Sequence, residues 1–148
     1  MSAGKLDDAR VWFDKVLRVR KLLAAADATN TTWQRDLSVS YKKLGDVAMS
    51  ADKLDDARAW FDKALAVHQA LVAAHPSSTD LQRDLCTILA EIAQVARDPN
   101  EATRYLGDAR TIYGRLQRAG FFQGDIAFAQ LGAALDRLTA QLGTAPRR

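Results

Sequence analysis

The chain has 148 residues, 48% apolar and 26% charged, with a net charge of +3. That balance describes a folded chain rather than a disordered one, and its acids and bases interleave, which argues against a nucleic-acid binder with basic residues gathered on one face. No apolar run approaches the roughly 20 residues of a membrane span, the polar start is no signal peptide, and the lone Cys86 excludes an internal disulfide framework. A soluble protein of the cytoplasm, a reducing compartment, is expected.

From the amino terminus, Leu6, Ala9, Phe13, Val16, Leu17 and Leu23 recur at the spacing of one helical face, which predicts a helix over 5–26. The polar run 27–32 is a turn. Thr31 followed three residues later by Gln34 fits a capping box at the next helix start. That helix carries Trp33, Leu37, Ser40, Tyr41, Leu44, Gly45 and Ala48 on one face. A turn at 50–52 follows, with Asp52 as the expected N-cap.

The next helix, 53–74, is a near copy of the first. Lys5–Leu17 and Lys53–Leu65 differ at only two of thirteen positions, Val11 for Ala59 and Val16 for Ala64, and 15 of 22 residues match over the whole helix. Self-similarity at a fixed spacing, here 48, is the signature of a stacked repeat array and takes precedence over other readings. The punctuation repeats as well: Thr79 and Gln82 stand where Thr31 and Gln34 stood, and Leu81, Leu85, Ile88, Leu89, Ile92, Ala93 and Ala96 form the second apolar face. Asp98–Pro99 with Glu101 is a strong helix start, and Gly120 stops that helix after Arg118. A last amphipathic helix is predicted over about 124–142, on Phe128, Leu131, Leu135, Leu138 and Leu142, and the tail GTAPRR is expected to fray.

The segment Ser38–Leu71 resembles the tetratricopeptide repeat, a helix–turn–helix unit of 34 residues. That family's pattern of an aromatic, Leu–Gly, a small residue, then Ala, an aromatic and Ala falls on Tyr41, Leu44, Gly45, Ala48, Ala57, Phe61 and Ala64. A weaker version falls on Leu89, Ile92, Ala93, Ala96, Ala102, Leu106 and Ala109, and a third begins with Phe128, Leu131 and Gly132. Two features depart from the pattern: the usual Pro is Gln69, and the spacing is 48. Both follow if each helix is about two turns longer, and the ending ALAVHQALVAAHP is similar to the kinesin-light-chain-like branch of the family. The resemblance implies an all-α solenoid of six antiparallel helices in a right-handed superhelix, as one array: a half-unit 5–26, units 31–74 and 79–118, and a closing helix 124–142. The chain would begin directly with the second half of a repeat.

In function the resemblance implies a non-catalytic scaffold that binds a protein or peptide. The first helices of the units would line a concave face exposing Arg35, Lys42, Asp46 and Met49, then Arg83, Thr87, Ala90, Gln94 and Arg97. The surface leans basic, so an acidic peptide is the expected ligand. The carboxylate clamp of the family's chaperone-tail binders is not matched: its places hold Lys42, Asp46, Glu91, Ile126 and Gln130, of which only Lys42 suits. The alternative is self-association, for example as a homodimer, or a place within a longer array, through an uncovered first helix at Ala9, Trp12, Phe13 and Val16.

No constellation of residues points to catalysis, and no cofactor, nucleic acid or membrane partner is expected. His68 and His75, seven apart, could form a metal pair but read better as a surface and a turn histidine. Cys86 reads as a small packing residue. Trp12, Trp60 and Tyr105 recur at equivalent positions and either pack between successive second helices or form a ligand-binding row.

Overall fold

The computed structural model describes residues 2–144. They form six α-helices: α1 Ala3–Ala26, α2 Thr31–Ser50, α3 Leu54–Ala74, α4 Thr79–Val95, α5 Pro99–Arg118 and α6 Ile126–Thr144. There is no β-strand among the described residues, and the fold is all-α as expected. The expected frayed tail falls partly on 145–148, outside the described residues, while Gly143 and Thr144 complete α6. The chain divides into two compact units at His75–Pro76.

In the first unit α2 is flanked by both α1 and α3. The α2–α3 pair holds the densest core. Ala57, Phe61 and Ala64 of α3 are fully buried, and Leu65 and Leu71 nearly so. Gly45 makes this possible, because a Cβ there would collide with Cε1 and Cδ1 of the Phe61 ring. A glycine in mid-helix costs roughly 1 kcal/mol relative to alanine. Burial of a whole phenylalanine side chain outweighs it, at about 1.5–3 kcal/mol. On its other side α2 is tied to α1 by Arg20, whose guanidinium donates to the Asp36 carbonyl at 3.0 Å and to Ser40 Oγ at 2.8 Å.

The helix ends differ from the sequence reading by one residue in three places. Asn30, not Thr31, caps α2, accepting from the Trp33 amide at 3.0 Å. Ser78, not Thr79, caps α4, accepting from the Leu81 amide. Asparagine and serine cap at least as well as threonine, so the chain starts each helix one residue earlier in its polar run. The paired glutamines serve the turn instead. The Gln34 amide donates to the Ala24 carbonyl at 3.0 Å, and Gln82 to that of Pro76 at 2.6 Å.

Asp52 is likewise not an N-cap. It lies in the left-handed region at φ 58°, where its amide donates to Met49 and the Lys53 amide to Ala48, satisfying the last carbonyls of α2. Lys53 precedes α3 without a side-chain cap, and Asp55 and Asp56 in the first turn complement the helix dipole instead. Gly120, at φ 81°, closes α5 in the same way: its amide donates to the Gln117 carbonyl and the Phe121 amide to that of Leu116.

The second unit holds α4, α5 and α6 in mutual contact. Its core comprises Leu85, Ile88 and Ile92 from α4, Ala102, Leu106 and Leu116 from α5, and Phe128 and Leu135 from α6. Asp98 caps α5 by accepting from the Asn100 amide at 2.9 Å, with Pro99 as the first helical residue, as read from the sequence. Asp125 caps α6 through the Phe128 amide at 2.9 Å. Gly132 is the counterpart of Gly45: a Cβ on it would collide with the Tyr113 side chain, which stacks on Phe128 with ring centroids 4.3 Å apart.

Truncation of Phe61 leaves the Gly45 notch empty in a fully buried site. The Phe61→Ala variant is expected to lose about 3–5 kcal/mol in urea unfolding followed by circular dichroism. A loss under about 1 kcal/mol would mean that the ring does not hold the hairpin.

Candidate interaction surfaces

The duplicated helices present different flanks to α2. From α3 the buried residues are Ala57, Phe61, Ala64, Leu65, His68 and Leu71, whereas from α1 they are Leu6, Leu17 and Ala24. The counterparts in α1 of the α3 core, Ala9, Phe13 and Val16, are only half-buried or nearly so. Leu23, the counterpart of Leu71, is 37% exposed. Trp12 is 64% exposed, with Val19 and Leu22 also open on this helix.

Equivalent tryptophans therefore meet different fates. Trp60 stacks on Tyr41 of α2 at 6.0 Å, with the Lys63 ammonium 4.8 Å from its centroid. Trp12 packs on no ring, and Tyr105 lies beside the Arg104 guanidinium at 5.3 Å. Packing of Trp12 between second helices is thus not what the structure shows. Trp60 belongs to the α2–α3 hairpin and Trp12 to solvent.

The first-helix positions were expected to be open, and they divide. On α2, Lys42 and Asp46 pair at 3.1 Å one turn apart, and Arg35 and Met49 are half-buried. On α4, Arg83 is committed within its own unit. It lies 3.5 Å from Asp125 and 3.6 Å from Asp80, with its guanidinium carbon 4.4 Å from the Phe122 ring centre. It pins the α5–α6 connection to α4. Thr87 returns its hydroxyl to the Arg83 carbonyl at 3.1 Å, and Ala90 is buried. Gln94 and Arg97 remain exposed. Among the positions matching the repeat pattern, Leu44, Gly45, Ala48, Leu89, Ile92, Ala93, Ala102, Leu106, Ala109 and Phe128 are buried, while Tyr41, Ala96, Leu131 and Gly132 are half-buried.

His68 corrects the sequence reading: it is buried, not on the surface. The period 57, 61, 64, 68, 71 places it on the apolar face of α3, a signal present in the sequence. Ser38 Oγ donates to the Ala64 carbonyl at 3.1 Å and, its one proton being spent, accepts from His68 Nδ1. Serine beside histidine is the pairing of nucleophilic catalysis, but both side chains are closed to solvent and the hydroxyl proton points at a carbonyl. The pair therefore acts as a structural clasp. His75 sits apart from it, exposed, with Nε2 3.0 Å from Thr31 Oγ1. The described residues hold no group of three or more His, Cys, Asp or Glu suited to a metal ion.

Cys86 stands 48 residues after Ser38 and repeats its role: Sγ donates to the Ala109 carbonyl at 3.2 Å, in a fully buried site. Position 113, the counterpart of His68 at the shorter spacing, is Tyr113. Sequence reasoning missed this recurrent clasp, because serine and cysteine read there only as small residues.

The two units are built from long helical hairpins closed by the same clasp, which defines a helical-repeat protein. Residues 37–77, from within α2 past the end of α3, match the family model of the tetratricopeptide repeat, and the chain carries a repeat of that family there. No curated protein matches the chain. Repeats of this family serve typically as non-catalytic modules that bind proteins or peptides. No described helix is long and apolar enough to cross a membrane.

Burial pushes the Cys86 thiol from 9.0 up to about 12. The folded state then keeps its proton while the unfolded chain loses it, so the contribution is flat below pH 9 and stability falls between pH 9 and 12, by up to about 1.4 kcal/mol per pH unit. Relative to Cys86→Ser, which keeps a donor for the Ala109 carbonyl, the wild type is expected to lose stability across that window in urea titrations. Parallel curves for the two proteins would show that the thiol titrates as freely folded as unfolded.

Proposed function

We propose that the chain is a scaffold for protein–protein interaction, taking a peptide or partner domain on the faces of its first-type helices. The observation that supports this most is the tetratricopeptide match over 37–77, on a hairpin whose Ser38 and His68 are both turned inward. Rigid packing of α2 against two neighbours lowers the ordering cost of binding. Each unit offers its own patch: Arg35, Lys42, Asp46 and Met49 on α2, and Gln94 and Arg97 on α4. Arg83, held by Asp125 and Phe122, supports its unit rather than the ligand. Of the named residues the cations outnumber the one carboxylate, which favours an acidic ligand. A reducing compartment such as the cytoplasm suits the buried, protonated Cys86.

A fluorescent peptide of alternating glutamate and leucine is the probe for this surface. Lys42→Glu combined with Arg97→Glu is expected to weaken its binding at least roughly tenfold at low salt, with the difference shrinking as salt is added. Equal binding by wild type and variant would reject these faces.

A second reading is assembly through α1, making the chain a self-associating repeat module. The exposure of Trp12, Val19 and Leu23 along one flank favours it, since each large apolar side chain gains roughly 1.5–3 kcal/mol when buried. Light scattering over a dilution series is expected to show a mass that falls with concentration, and a Trp12→Glu variant that is monomeric throughout. A monomer at every concentration would exclude the self-associating form.

A further inference from the structure

In the first unit α1 and α3 flank α2 and leave a crevice of about 430 Å³ between them, within the size range of small-molecule sites. All of its lining falls within residues 6–63. The floor is apolar, formed by Leu6, Leu44, Val47 and Ala48, and Trp60 stands on the α3 wall. Beside Trp60 lies Ala59, at one of the two places where the duplicated segments differ; α1 carries Val11 there. The alanine keeps the crevice open, since a valine would add two methyl groups to that wall.

The rim is charged, and its two sides differ in sign. α1 contributes Asp7, Arg10 and Asp14, whereas α3 contributes Lys53, Asp56 and Lys63. One side therefore carries two carboxylates to one cation, and the other two ammonium groups to one carboxylate. Lys63 rests 4.8 Å from the Trp60 ring centre, which holds its ammonium at the crevice wall. From this we infer that the crevice binds a small zwitterion with an apolar body, a free amino acid with a large hydrophobic side chain. The side chain lies on the floor beside Trp60, the carboxylate turns to Lys53 and Lys63, and the ammonium to Asp7 and Asp14. Water over an apolar floor is poorly held and favourably displaced, so the side chain supplies most of the affinity and the rim charges set the orientation.

This site goes beyond the scaffold reading and shares no surface with it. Leu44, Ala48 and Ala51 in the crevice each follow Lys42, Asp46 and Met49 of the proposed partner face by two residues, which at the helical period is about half a turn. The two sets lie on opposite sides of α2. The crevice is likewise separate from the open flank of α1, since it uses Asp7, Arg10 and Asp14 of that helix rather than Trp12, Val19 and Leu23.

The test is an NMR titration of the full chain with phenylalanine and with two analogues that each lack one of its charges, phenylpropionate and phenethylamine. The Trp60 indole N–H reports on the crevice, and that of Trp33, outside it, is the control. Phenylalanine is expected to saturate with a dissociation constant on the order of 1 mM, usual for so small a ligand, and each analogue to bind about two- to fivefold more weakly. Lys53→Gln with Lys63→Gln is expected to weaken phenylalanine and phenylpropionate but not phenethylamine. Asp7→Asn with Asp14→Asn is expected to weaken phenylalanine and phenethylamine but not phenylpropionate. Ala59→Val is expected to weaken all three at least roughly threefold. Circular dichroism checks that these variants, all at exposed or half-buried positions, remain folded. An analogue that binds as tightly as phenylalanine would overturn the zwitterion, and so would a charge variant that weakens all three probes alike. No saturable shift of the Trp60 signal, or unchanged binding by Ala59→Val, would remove the site altogether.

Discussion

The hairpin depends on how closely its two helices can approach. A glycine in α2 lets a phenylalanine ring of α3 lie against backbone, and at that separation a serine hydroxyl on one helix reaches a main-chain carbonyl on the other. The second unit meets the same constraint with different atoms: a thiol in place of the hydroxyl and Ala109 in place of Ala64. In both cases a buried polar atom is satisfied without admitting water, as a dry interior requires. A larger residue at either end of the clasp would separate the helices and strand the donor.

That geometry fixes which side chains are closed to solvent and which are open. Ser38, His68 and Cys86 hold helices together and are closed to solvent. Positions on α2 and α4 such as Met49, Gln94 and Arg97, and an apolar flank of α1, are left at least partly open to solvent. The contrast between Trp60, stacked on Tyr41, and Trp12, open to solvent, shows that near-identical residues acquire different roles from the presence or absence of one neighbouring helix.

Much of this was legible in the chain itself. The 48-residue duplication, the apolar periodicity and the Asp98–Pro99 start located the helices to within about two residues, and the Tyr41 to Ala64 pattern pointed to the repeat family. Less visible were details set by competition among neighbouring polar residues. Asn30 and Ser78 displaced the threonines as caps because adjacent residues of similar capping strength differ by tenths of a kcal/mol. Asp52 took a left-handed turn because the last carbonyls of α2 needed donors more than α3 needed a cap. Arg83 looked like a free cation because Asp125 and Phe122 lie 42 and 39 residues away in the chain.

The sequence by itself determined that the protein is helical, where its helices lie, and which face of each is apolar, because these follow from local periodicity and from duplication. Only the tertiary structure decided which apolar faces are covered. Pairing of Ser38 with His68, closure of Gly132 by Tyr113 and exposure of the α1 flank all depend on which helix stands beside which. That is a matter of long-range packing, in which two segments of nearly the same composition can meet opposite surroundings.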